Sequence, residues 1–227
     1  SLIAFFGALE SGLIYGLVAL GVLISFRTLD FPDLTADGSF PLGGAVAGIS
    51  IVAGINPWIA CAFGMLAGSV AGIVTAWLHV KLGILQLLAS ILVMVALYSV
   101  NLRIMGAPNL PLLGETTVFS SLVTDGNGYW MRCLIIGVVV ALAMLFLNWF
   151  YSTETGLSMR ATGSNLRMAQ AQGINTSWMT IIGMAISNGL IALAGALFVQ
   201  TQGGADISIG IGTIVIGLAA VIIGETI

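Results

Sequence analysis

Charge is what this sequence has least of. Its 227 residues include six lysines and arginines, nine aspartates and glutamates and one histidine, so charged residues make up 7% and the net charge is −3. Six scattered cations offer no basic surface for nucleic acid. Cysteine is almost as scarce. Cys61 and Cys133 both fall in apolar stretches, where they read as small core residues and say nothing of a redox compartment. His79 stands beside Lys81 at the end of an apolar stretch, with no Cys, His or carboxylate neighbour to complete a metal set, so it is expected to be interfacial. No phosphate-cradling P-loop, G-x-S-x-G, H-E-x-x-H or paired-cysteine zinc set occurs. No catalytic residue, metal or cofactor is therefore expected, and a chain without a P-loop has no recognisable means of hydrolysing ATP.

What is abundant is apolar surface. Hydrophobic residues make up 59% of the chain and its mean hydropathy is +1.12, far above soluble proteins. A membrane span needs about 20 apolar residues, and the sequence predicts about seven. These are Leu2–Phe26, Phe40–Gly54, Trp58–Val80, Leu82–Leu102, Trp130–Tyr151, Trp178–Gln202 and a last one beginning near Asp206. The expected fold is all-α, a polytopic transmembrane helix bundle forming a single domain over 1–227. The first span lacks a basic n-region and an A-x-A-like cleavage site, so it reads as a span and not a signal peptide. The chain opens on Ser1 and stops inside an apolar run at Ile227, which suggests a longer protein with at least one further C-terminal span.

Basic residues orient the bundle. Placing Lys81, Arg160 and Arg167 in the cytoplasm puts the Arg103–Arg132 loop outside, Thr28–Ser39 inside and the N-terminus outside. Trp130, Trp149 and Tyr151 suit interfacial belts. Gly12 with Gly16, and Gly64, Gly68 and Gly72, form small-residue faces for close helix packing. Gly210, Gly217 and Gly224 recur every seven residues on the last span, within the chain or against a second copy. Gln86, Ser90, Tyr98 and Asn101 are spread along the fourth span, where they glue helices or line a path.

Three polar features interrupt this apolar background. Glu10 lies within the first span, either facing a polar partner or hydrated near the surface. Thr28–Gly44 carries Asp30, Asp33, Asp37, Pro32 and Pro41, and reads either as an ordinary turn with a capped helix start at Asp37 or Ser39 or as a broken helix at membrane depth, tolerated only where it is packed in protein or lines a wet cavity. The third is Gly156–Thr176, GLSMRATGSNLRMAQAQGINT, the longest polar run between two spans. From Ser164 it predicts a short helix, capped by Ser164 or Asn165 and ended by Gly173. GLIYGLVALGVLI at Gly12 also echoes GLIALAGALFVQ at Gly189, each followed by a polar break. If the two copies form an inverted repeat, Asp30–Phe40 and Thr201–Ser208 are broken segments flanking a central path.

The polar run GLSMRATGSNLRMAQAQGIN resembles the cytoplasmic loop of ABC-transporter permeases of the branched-chain amino acid and ribose (LivH/LivM-like) importer class, with its pattern RA.G.N...A...GI. Arg160, Ala161, Gly163, Asn165, Ala169, Gly173 and Ile174 stand at the matching positions. The resemblance implies that 152–177 is a coupling loop, with Arg160, Ala161, Gly163, Asn165, Arg167, Ala169 and Gly173 engaging a groove of a separate ATPase subunit. LDFPDLTADGSF is similar to the (I/L)NF..G region after the first span of these permeases, with Asp30 where Asn is usual. It is most similar to permeases whose binding proteins carry amino acids, aromatic ones among them.

These features together predict the permease subunit of an importer in a bacterial inner membrane, moving a small polar solute, an amino acid above all. Its expected partners are the ATPase, an extracytoplasmic solute-binding protein, a second permease copy and the lipid bilayer. Asp30, Phe31, Pro32, Asp33, Asp37, Ser39, Phe40, Asp206 and Ser208 are the candidate path residues. The competing reading is an ion-coupled carrier or channel whose polar loop is merely solvated. The shortage of acids within the spans weighs against it, and the broken segments weigh against a structural scaffold.

Overall fold

The structure is a computed structural model and describes residues 2–120 and 128–227. Helix α1 (Leu2–Val22) continues through a π-helical turn, Leu23–Thr28, into an irregular stretch over 29–35. Then come α2 (Ala36–Val52), α3 (Pro57–Leu82), α4 (Gln86–Met105), a short strand β1 (Asn109–Pro111) and α5 (Gly128–Ser152). Two short helices, α6 (Glu154–Ser164) and α7 (Leu166–Ala171), lead to α8 (Thr176–Gln202). The chain closes with β2 (Gly204–Asp206), a 3-10 turn Ile207–Gly210 and α9 (Thr213–Thr226). Part of the predicted outer loop, residues 121–127, lies outside the described residues.

Six helical segments are long and apolar enough to cross a membrane, the first being α1 with its π-helical turn and the last Ile207–Thr226, the 3-10 turn with α9, while α2 is a shorter apolar helix of 17 residues. At 1.5 Å per residue α2 spans only about 25 Å, less than a hydrocarbon core of about 30 Å. The predicted bundle is present, with one element too short to cross alone. Local chemistry explains the helix ends. Asn56 accepts the Trp58 N–H, Pro57 opens α3 where its missing donor costs nothing, and Gly83, at φ 70°, ends it.

Packing is organised around α8 and α2. α8 lies antiparallel to α1, since Tyr15 meets Phe198 while Gly21 meets Ser187 and Ile191. α3 crosses α8 closely because Gly64, Gly68 and Gly72 leave room for its backbone, and a Cβ at Gly68 would sit 2.6 Å from the Asn188 carbonyl oxygen. The other small-residue faces divide. A Cβ at Gly217 would press on Val18 and Val22, and Gly210 is packed against Asp37 and Pro41. Gly12, Gly16 and Gly224 have nothing within 4 Å.

Two long-range features were not expected. The outer loop pairs with the far end of the chain: Asn109, Leu110 and Pro111 align antiparallel with Asp206, Ala205 and Gly204. Gln200, buried at the end of α8, then pins that loop by accepting the Val118 N–H at 2.9 Å and donating to Ala196 O at 3.0 Å. Glu10 is paired with Arg132 on α5, at 4.0 Å. His79, at the end of α3, meets the Ile84 carbonyl at 2.7 Å and the edge of Phe31.

One boundary needs correction. The predicted break ran to Phe40, but helix α2 already begins at Ala36, so Asp37, Ser39, Phe40 and Pro41 are helical. Pro41 is tolerated because it lies near the helix start, and the bond it forfeits is to Asp37 O, which packs against Gly210. The backbone that is truly irregular is 29–35.

Candidate functional site

The loop after α5 holds two helices where the sequence predicted one. Thr153 caps α6 by accepting the Gly156 N–H, and Asn165 caps α7 by accepting the Met168 N–H at 3.0 Å. Gly173, at φ 83°, ends the second, and the Ile174 N–H returns to Ala169 O. The unforeseen α6 does carry a start signal, Thr153 followed by Glu154 in the first turn.

Some residues expected on a partner-facing surface contact this chain. Arg160 is exposed but lies over the Tyr151 ring, 4.8 Å from its centroid, and the Tyr151 hydroxyl is 2.9 Å from Thr28 Oγ1. Gly163 rests on the Thr28 carbonyl, where a Cβ would overlap the oxygen and lie 3.0 Å from Leu29 Cα. Ala169 is the buried residue of α7, Met159 is fully buried, and Ala161 is half-buried. Gly163 and Ala169 therefore let the loop approach its own bundle. The exposed apolar side chains are Leu157, Leu166 and Met168, beside exposed Asn165 and Arg167. The signal for these three was available: large apolar residues in the most polar stretch of the chain.

Between this loop and the bundle lies a chamber of about 460 Å³, lined with polar groups from Asp30, His79, Gln86, Ser164, Gln170 and Ser177 among others. Asp30 has φ 51°, the left-handed region that Asp and Asn enter more readily than other side chains. That backbone requirement accounts for an Asp or Asn at this position without any ligand role.

The stretch 29–35 then turns into the bundle. Phe31 is buried against His79, and Asp33 is 1% exposed. Asp33 accepts the Thr35 N–H at 2.9 Å and the Asn188 Nδ2 at 3.0 Å, while Asn188 Oδ1 accepts the Ser39 hydroxyl at 2.7 Å. Thr35 meets Thr75 of α3 at 2.7 Å. One asparagine at the middle of α8 thus ties the irregular stretch to α2. Ser39 and Phe40 are fully buried, the latter among Tyr15 and Phe198, so both belong to the core and not to an open path.

Asp37 faces another way. Its Oδ1 accepts the Ile214 N–H at 2.8 Å, capping the start of α9 from a different helix. With Gly38, Pro41, Tyr98, Asn101, Ile207 and Ile211 it borders a mainly apolar cleft of about 440 Å³ between α4 and the stretch leading into α9. Asp206 lies at the opposite end of the molecule from Asp30, with Ser208 donating to it through its N–H at 2.9 Å and its hydroxyl at 2.8 Å. Those two bonds hold the Asp206 carboxyl below its ordinary range. The nine candidate path residues therefore do not form one site. Asp30 and Phe31 border the inner chamber and Asp37 the cleft, Asp206 and Ser208 lie at the outer end, and Asp33, Ser39 and Phe40 are interior. Pro32 is exposed within the irregular stretch. Among the described residues, no group of three or more His, Cys, Asp or Glu side chains could hold a metal ion.

Comparison with known proteins agrees with this architecture. The profile of the family described as "Branched-chain amino acid transport system / permease component" matches residues 4–226. A tyrosine transport system permease protein of Clostridioides difficile is 41% identical over 223 residues, covering 96% of this chain and 72% of that protein. An uncharacterized protein of Rickettsia prowazekii is 37% identical over 222 residues, 97% of this chain and 76% of its own length. A probable branched-chain amino acid permease, LivH, of Methanocaldococcus jannaschii is 26% identical over 205 residues, 83% of this chain and 64% of its own length. No solved structure matches the chain. A multi-pass helical bundle, a helical loop seated on its inner end and a family match along almost its whole length lead to one assignment: the chain belongs to the branched-chain amino acid transport permease family, the membrane-spanning subunits of ABC importers.

Proposed function

We propose that this subunit moves an amino acid inward across the cytoplasmic membrane, without catalysis of its own, powered by a separate ATPase that docks on 152–177. The cargo reading rests on the printed names of its relatives, a tyrosine permease and a branched-chain amino acid permease. On this reading 1–227 forms one permease domain, pairs with a second copy, and receives cargo from an extracytoplasmic binding protein at the end that carries Asp206 and Ser208. Cargo passes the Asp37 cleft between the copies and leaves past Asp30.

The observation that carries the proposal is the seat of Gly163 on Thr28 and Leu29. A push on α6 or α7 is delivered directly to the end of the first span. From there only the short stretch 29–35 separates it from α2, the helix that borders the cleft. A merely solvated loop needs no such contact. Leu157, Leu166, Arg167 and Met168 form the face left for the ATPase.

The test is purification from native membranes followed by reconstitution. Support is a co-purifying P-loop ATPase together with uptake that requires ATP. Uptake in vesicles driven by an ion gradient, with no nucleotide and no ATPase present, would overturn the reading in favour of a secondary carrier.

A further inference from the structure

We propose that the cleft beside Asp37 is a binding station for the protonated amine of a small apolar solute, held by Asp37 and Asn101. The inference rests on the path reading above and adds to it which end of the cargo the permease itself recognises.

The cleft has the size of a small-molecule site, about 440 Å³, with Met94, Val95, Ile207 and Ile211 among its walls. The Asp37 carboxylate and the Asn101 amide bring acceptors to its wall, beside the Tyr98 and Ser99 hydroxyls. Asp37 Oδ1 accepts the Ile214 N–H, and the Gly212 N–H is also directed at this carboxylate, whose four lone-pair sites leave acceptor capacity beyond those two. Asn101 is 1% exposed, and its Nδ2 reaches Gly38 O at 3.4 Å. Because a carbonyl can only accept, that contact fixes the amide orientation and leaves Asn101 Oδ1 as the free atom. Oδ1 is buried and has no hydrogen-bond partner. The Thr213 hydroxyl, next to the residue that Asp37 caps, is likewise buried without a partner.

Such groups are normally satisfied, so an orphaned acceptor bordering a cavity marks a missing donor. Among the described residues no lysine, arginine or histidine lines the cleft, so these offer a carboxylate or phosphate no counter-charge. A lipid tail would leave Asn101 Oδ1 without a donor and the spare acceptor capacity of Asp37 unused. An ammonium group supplies several donors and a positive charge at once, with an apolar body suited to the remaining wall. Tyr98, half exposed at the rim, adds an aromatic face for the cation.

The test uses the assembled transporter in vesicles with a cysteine at Ile211, which is 79% exposed on the cleft rim. Its labelling by a small methanethiosulfonate is followed with phenethylamine, an amine without a carboxylate, or 3-phenylpropionate, a carboxylate without an amine. Phenethylamine should slow labelling and 3-phenylpropionate should not. Asn101→Leu should raise the concentration needed for half-protection about tenfold, the worth of one net hydrogen bond, while Asn101→Asp should keep protection. An unchanged labelling rate without ligand shows that each variant is folded. Equal protection by both compounds, protection by neither, or protection that survives Asn101→Leu would overturn the proposal. The path is judged separately, by whether saturating label at Ile211→Cys stops uptake. Amine-selective protection with unimpaired uptake keeps the station and removes it from the path. Blocked uptake without amine selectivity keeps the path and removes the station.

Discussion

Replacing Gly163 by alanine asks whether the loop drives the bundle through a rigid contact. Two effects oppose each other. Gly163 lies in the last turn of α6 with no positive φ, so alanine gains up to about 1 kcal/mol of helix propensity. Against this, the new methyl would overlap the Thr28 carbonyl oxygen and sit 2.7 Å from its carbon. Ordinary carbon contacts lie at about 3.5–4.0 Å, so the loop and the end of the first span must part by about an ångström. The obstacle is backbone, which cannot rotate away as a side chain can, and overpacking of this kind costs about 1–3 kcal/mol. The clash wins. Lost from the coupling between sites, that energy is about 5- to 150-fold. In reconstituted vesicles, Gly163→Ala should cut solute moved per ATP by about tenfold, while ATP hydrolysis and assembly persist. Gly12→Ala, with nothing within 4 Å, is the control and should behave as wild type. Normal transport per ATP in Gly163→Ala would refute the reasoning.

Other consequences can be checked as readily. Asn188→Leu removes one side-chain donor from the buried Asp33 carboxyl and should cost about 1–3 kcal/mol, seen as a lower melting temperature in detergent. Gln200→Leu orphans the Val118 N–H and should cost about 1–3 kcal/mol in the same assay, with faster proteolysis of the outer loop. Cysteines along the irregular stretch should divide: Asp30→Cys reacts with aqueous thiol reagents, and the 1% exposed Asp33→Cys stays inert, so uniform reactivity would contradict the packing. Because the Asp206 carboxyl is held below its ordinary range, its bonds to Ser208 contribute stability above the unfolded value, near 3.9, that is lost as pH falls through the lowered folded value. Ser208→Ala should raise that folded value, observable by carbon NMR of labelled aspartate.

Much of this protein was legible from composition and spacing alone. Apolar runs long enough to cross a bilayer, separated by Asn56–Pro57, by Lys81 to Gly83 and by the polar loop, locate the helices because the bilayer imposes a length and backbone chemistry imposes the ends. Asn165 and Gly173 could be read as cap and stop for the same local reason. Tertiary structure alone decided which way each residue faces. Gly163 and Ala169 look like small residues for a partner, yet they face Thr28 and the body of the chain, because a one-dimensional pattern records the size of a side chain and not what stands opposite it. Asp30, Asp33 and Asp37 look alike within one acidic run. One is held in left-handed backbone, one is buried on Asn188, and one caps a helix that begins at Thr213, far away in sequence. The pairing of Asn109–Pro111 with Gly204–Asp206 and the hold of Gln200 on Val118 had no local signal either, since both depend on distant segments being brought together by helices α3 and α8 packing through glycine.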